Sequence, residues 1–186
     1  MSSASSAISL KGSADIVAEF FGYAINSILY QRGVYAPEQF ERQKKYGLTL
    51  LVTAEDKLKA YINQILTQLK ARAHAQNGSL KRPCNKWSSS SAAPPHKKLS
   101  SKPEAEIHKE IQGIIRQVTA SVTFLPLIDE PCVFEMIMYT DKHIDTPETM
   151  EESDPKHVKN AAEDFKLRSF TTDIHAIQSS VTYRDA

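Results

Sequence analysis

Six histidines (His74, His96, His108, His143, His157 and His175) and two cysteines (Cys84 and Cys132) are the side chains best suited to hold a metal or attack a substrate. Structural zinc sites draw their ligands in closely spaced pairs, and no histidine or cysteine here has such a neighbour. Each histidine therefore reads as a surface residue, and the cysteines as free thiols of a reducing compartment. The acidic pairs Asp129/Glu130 and Glu151/Glu152 read as solvated loop charges rather than as an acid/base dyad. No glycine-rich phosphate loop, H-E-x-x-H, C-x-x-C or G-x-S-x-G occurs. The residues point away from an enzyme and imply neither cofactor nor metal.

Charge points the same way. A net of +1 over 186 residues argues against nucleic-acid or membrane-surface binding by the chain as a whole. Its distribution is uneven. Seven basic residues (Arg72, Lys81, Arg82, Lys86, Lys97, Lys98 and Lys102) and no acid fall in residues 71–102, so the remainder carries 16 basic against 22 acidic groups. LKRP at 80–83 and HKK at 96–98 fit a polyanion or nuclear-import patch, and fit solubilising charge better. The opening MSSASSAISL has no basic n-region or long apolar core, so no signal peptide is expected. No run approaches the ~20 apolar residues of a membrane span. A cytosolic or nuclear protein is expected.

The elements that would position any site are legible from periodicity. Ile107, Ile111, Ile114/Ile115, Val118 and Val122 form one helical face, predicting a core-spanning helix over 103–127, capped by Ser101 with Glu104 and stopped by Pro126. Ser13 can cap a first helix, 14–32, whose apolar residues wrap more than half its circumference, and Gly33 supplies a left-handed stop. Residues 34–45 read as a turn at Pro37 followed by polar chain. LTLLVT at 48–53 fits a strand. A second amphipathic helix, 54–70, carries Leu58, Tyr61, Ile62, Ile65 and Leu69 on one face. The composition then breaks into a basic Ser/Pro-rich stretch, bounded at 71–103, that buries too little apolar surface to offset its chain entropy and is expected to be disordered. CVFEMIMY at 132–139 reads as a mostly buried strand, residues 141–160 as a long acidic loop, and 166–183 as a closing pair of strands. Helices and strands in this order fit an α+β domain.

Several longer blocks carry more than pattern. SADIVAEFFGYAINSILYQRGVY (13–35), KKYGLTLLV (44–52), IIRQVTASVTFLPL (114–127), YTDK (139–142) and LRSFTTDIH (167–175) resemble the spindle-checkpoint branch of the HORMA family. The likeness covers roughly residues 8–70 and 104–183. It implies an α+β HORMA domain over 8–183, with three helices on a mainly antiparallel sheet and no enzyme activity. It implies a C-terminal safety belt, 141–186, that traps a partner peptide by strand addition. Phe134, Met136, Met138, Tyr139, Phe170 and Tyr183 are the implied peptide-binding strand and belt residues. Open and closed copies would dimerise through the third helix, with Arg116, Gln117, Phe124 and Arg168 at the interface. The implied partners are a coiled-coil kinetochore adaptor and the activator subunit of the anaphase-promoting complex, at the kinetochore, in the nucleus and in the cytoplasm.

The resemblance fails over 71–103, where the family has two central strands and this chain shows no strand run. Trp87, in KWSSSS, does not match the family's strand tryptophan. The alternative function is a non-closing or dominant-negative isoform that acts only through helix-mediated dimerisation.

Overall fold

A computed structural model of the chain describes residues 8–75, 102–128, 130, 132–137 and 163–183. Its centre is α1, Leu10–Gln31. The helix begins a turn earlier than expected because Ser9 is the cap, accepting from the Gly12 amide at 3.1 Å. That places Ser13 inside the helix, fully buried. Val17, Phe20, Phe21, Ala24, Ile25 and Leu29 enter the core from one helix, and α2 (Asp56–Ala75), α3 (Glu104–Ala120) and β2 (Leu48–Thr53) all pack on it. Gly33 adopts φ +63°, the left-handed stop that its position predicts.

Residues 34–45 are more ordered than the sequence suggests. A 3-10 turn, Pro37–Gln39, leads into a strand, β1, Phe40–Lys45. It pairs antiparallel with β2, Leu48–Thr53, Phe40 facing Thr53 and Lys45 facing Leu48. The strand eludes a hydrophobicity reading because it is mostly polar and solvent-facing, and its backbone bonds go to β2. Tyr46 and Gly47, at φ 50° and 68°, make the two-residue left-handed turn that matches strand twist. Such a φ is rare for an aromatic residue, and tertiary contacts hold it. The Tyr46 carbonyl accepts from Gln112 Nε2 at 2.7 Å, and its hydroxyl donates to Glu19 Oε1. Asn26 ties the hairpin to α1, its Oδ1 accepting from the Thr53 amide and its Nδ2 donating to the Gly22 carbonyl.

Burial first, and then the Glu19 bond, push the Tyr46 phenol well above its ordinary value. The same carboxylate, 2.7 Å from Lys45 Nζ, raises the Lys45 ammonium. Both groups hold their protons more tightly when folded. Their contribution is therefore complete below the ordinary values of 10.0 for tyrosine and 10.5 for lysine and is lost progressively as pH rises from there through the higher folded values. An alkaline denaturation followed by circular dichroism should show stability flat through neutrality and falling from about pH 10. Tyr46→Phe should make that fall shallower.

Helix α2 runs Asp56–Ala75, past the expected end at residue 70. ARAHA at 71–75 has no large hydrophobe, but alanine and arginine are strong helix formers, and Arg72 and Ala73 are buried. The remainder of 71–103 up to residue 101, with its expected disorder, lies outside the described residues. Leu58, Ile62, Ile65 and Leu69 face the core as expected, whereas Tyr61 is largely exposed.

Helix α3, Glu104–Ala120, buries Ile107, Ile111, Ile114, Ile115 and Val118, the face read from the sequence. It ends before Pro126, in a 3-10 turn at Ser121–Thr123. A run of hydroxyls explains the early stop: Thr119, Ser121 and Thr123 each donate back to a carbonyl three or four residues earlier, competing with the next turn. At the other end, Pro103 occupies the cap position and no side chain caps the helix. Ser101 lies outside the described residues.

The expected buried strand at 132–139 is corrected. Residues 132–137 form no ladder among the described residues. Phe134 and Met136 lean on the core while Val133 is 94% exposed, because alternation turns every second side chain away from it. The C-terminal segment is one long hairpin. β3, Glu163–Lys166, pairs with β6, Ser180–Tyr183, and inside it β4, Phe170–Thr171, pairs with β5, Ala176–Ile177. The α+β class holds. Among the described residues the single sheet resolves into three two-stranded antiparallel ladders.

Candidate functional site

The residues implied for dimerisation gather where the C-terminal hairpin meets α3. Gln117 projects from α3 and its Oε1 accepts from the Arg168 amide at 2.7 Å. Arg168 then crosses the helix at Gly113, where an added Cβ would lie 3.4 Å from its Nη1 and 3.6 Å from its Cδ. Arg116, on the same helix, is exposed. Beyond the helix end, Phe124 is 40% exposed, its ring 5.2 Å from that of Phe165 and 6.1 Å from that of Tyr183. Two arginines and a cluster of aromatic rings on one face have the composition of an interface hot spot. Gly113 and Phe165 belong to this surface and escape a sequence reading. A helical glycine ordinarily signals only weakness, and Phe165 lies before the alternating run.

The residues implied for peptide capture are placed differently. Phe134 packs edge-on against Tyr61 of α2, ring centres 6.2 Å apart, and Met136 is half-buried on the core. Tyr183 ends β6 beside Phe124. Phe170 is 1% exposed and packs edge-on against Phe20 at 5.0 Å. Its ring is a core anchor, which leaves no face for a ligand. Met138 and Tyr139 lie outside the described residues, as does the whole 141–162 stretch of the belt.

His175 corrects the reading of all six histidines as surface groups. It is 2% exposed, and its Nδ1 lies 2.5 Å from Ser13 Oγ, which in turn meets Thr172 Oγ1 at 2.6 Å. The three side chains make a buried polar contact between α1 and the hairpin. Only the tertiary fold reveals it, since 162 residues separate Ser13 from His175.

A family model described as "HORMA domain" matches residues 13–82. The "Mitotic spindle assembly checkpoint protein MAD2A" of Dictyostelium discoideum is 46% identical over 190 residues, covering 95% of this chain and 93% of that protein. The Homo sapiens protein of the same name is 44% identical with the same coverage. Among solved structures, a chain of "Crystal Structure of Mitotic Checkpoint Complex" superposes with a TM-score of 0.78 at 37% identity, covering 94% of this chain and all of that one. "Structure of HTP-2 bound to HTP-3 motif-6" matches at a TM-score of 0.63 and 13% identity, a likeness of fold alone. With this similarity running through nearly its whole length, the chain belongs to the HORMA-domain family, among the MAD2 spindle-checkpoint proteins.

Proposed function

We propose that this chain is a spindle-assembly-checkpoint binding module that captures partner peptides with its C-terminal segment and thereby restrains the anaphase-promoting complex until kinetochores attach. The observation that carries the reading is the similarity to MAD2A proteins across 95% of the chain. The hairpin at 163–183 supports it, because it lies within the implied belt, 141–186, and is mounted on α3 through Gln117 and Arg168. The reading makes the protein an adaptor rather than an enzyme. Its partners are a coiled-coil kinetochore adaptor and the activator of the anaphase-promoting complex, each presenting a short basic–hydrophobic motif, together with a second copy of this chain in the other conformer. Its places of action are the kinetochore, the nucleus and the cytoplasm.

A second reading, a non-closing isoform that only dimerises, draws support from two side chains. Leu127 is 86% and Val133 94% exposed on either side of the segment that leads into the expected 132–139 strand, which forms no ladder among the described residues.

The first of two measurements separates these readings, and the second tests the interface that both share. In a two-dimensional amide NMR titration with a partner-motif peptide, capture should give new, slowly exchanging peaks in residues 163–183. A dispersed spectrum indifferent to peptide would favour the second reading. Sedimentation of Arg168→Ala should show self-association weakened about thirtyfold, the scale of one interface hot spot. Wild-type and variant chains that are equally monomeric would remove the interface.

A further inference from the structure

The turn at 171–175 is held by two carboxylates, each of which divides its oxygens between separate parts of the chain. Asp173 Oδ1 accepts from the Lys102 amide and Oδ2 from the Ile8 amide, both at 3.1 Å. Glu110, on α3, receives Lys102 Nζ on Oε1 at 2.6 Å and the Thr171 amide on Oε2 at 3.3 Å. Lys102 is thus gripped twice, by its backbone through the hairpin and by its side chain through α3. On the inner side the Thr172 hydroxyl meets Ser13 and accepts from the His175 amide at 2.8 Å, closing the turn against α1.

From this geometry we infer that Lys102, Glu110 and Asp173 form a clamp that sets the hairpin's position on α3, and that Asp173 and Glu110 are positioning residues for the Arg168 surface. The inference rests on the proposed role of that surface in self-association. Physically, two carboxylates sharing one lysine admit a narrow range of hairpin placements, because sliding the turn along α3 breaks bonds at Lys102, Ile8 and Thr171 together. Charge-assisted bonds to backbone amides are stronger and more directional than an exposed ion pair. Lys102 and Glu110 keep side-chain exposures of only 23% and 28%. Arg168 lies three residues before Thr171 and its amide is held by Gln117, so the turn fixed at 171–175 determines whether that bond lines up. Asp173 also joins the beginning of α1 to the beginning of α3, segments remote in sequence that no other single residue among the described hydrogen bonds connects in this way.

The test is residue-resolved amide hydrogen exchange on the full chain, with Asp173→Ala, Glu110→Gln and Lys102→Arg. Asp173→Ala should speed exchange at Ile8, Lys102 and Arg168 about tenfold, the scale of one lost charge-assisted bond, while Ile62 and Ile65 of α2 keep their wild-type protection. Glu110→Gln should speed Thr171 and Arg168 by several-fold, and Lys102→Arg, which retains a cation for Glu110, should leave Arg168 unchanged. Acceleration at Lys102 with Arg168 unmoved in both carboxylate variants would overturn the inference. So would equal acceleration throughout α2, which would indicate general destabilisation. Sedimentation gives the separate readout. If Asp173→Ala moves the Arg168 amide but the wild-type chain does not self-associate, the clamp stands and the proposed role of the surface falls.

Discussion

Phe170→Ala is expected to destabilise the chain by about 3–5 kcal/mol, the range for removing a fully buried aromatic ring. The ring sits on the short strand β4 and meets Phe20 edge-on at 5.0 Å, so its loss opens a cavity between the C-terminal hairpin and α1. The α1 side chains opposite are also packed by α2 and α3, which limits how far they can move to fill it. A domain of this size has roughly 5–15 kcal/mol in total, so the variant should lose a large fraction of its stability. Urea unfolding should show a much lower midpoint at an unchanged slope. A loss below about 1 kcal/mol would mean that the ring is solvated and would return Phe170 to the candidates for direct peptide contact.

The second large effect is at Ser13. Replacing it by alanine strips the Thr172 hydroxyl and His175 Nδ1 of a shared buried partner, at a cost of about 1–3 kcal/mol. Loss of the partner, rather than loss of a helix cap, is the expected cause, and a double-mutant cycle separates the two. If Ser13 acts through Thr172, then Ser13→Ala combined with Thr172→Val should cost less than the sum of the single changes, because both ends of one contact disappear together. Strict additivity would place the two residues in independent environments.

Where hydrophobic period and burial coincide, the sequence was readable. The buried faces of α1 and α3 and the left-handed Gly33 follow from spacing and residue type alone. Four places were not readable, each because the stabilising partner is remote or is backbone. β1 is polar and gains its bonds from β2. The end of α2 is built from alanine and arginine, which carry no hydrophobic signal yet favour helix. α3 stops early through serine and threonine hydroxyls rather than at the proline that marks an obvious end. Ser13 has the residue type of a cap, and only the capping bond made by Ser9 moves it inside the helix.

The candidate site divides along the same line. Arg116, Gln117, Phe124 and Arg168 were named by family resemblance, and the structure gathers them at α3 and the hairpin that crosses it. Gly113, Glu110 and Asp173 carry no motif, since what marks them is the passage of one chain segment against another. Phe170 lies in the implied belt and its type suits a binding groove equally well. Burial alone shows it to be an anchor.

The pairing of residue 13 with residue 175, and of residue 20 with residue 170, also bears on how the chain is made. Translation proceeds at about 5–20 residues per second, so α1 leaves the ribosome roughly 8–30 s before the hairpin that covers Ser13 and Phe20 has been synthesised. During that interval the helix presents Phe20, and beside it a serine meant for a buried contact, to the surrounding solution. The first helix made is thus among the last completed, and the newborn chain is most open to proteases and holding chaperones at its N-terminal end. A series of stalled chains, each extended by a flexible spacer long enough to clear the exit tunnel and truncated before or after residues 163–183, should show protection of α1 from limited proteolysis appearing only where the hairpin is present.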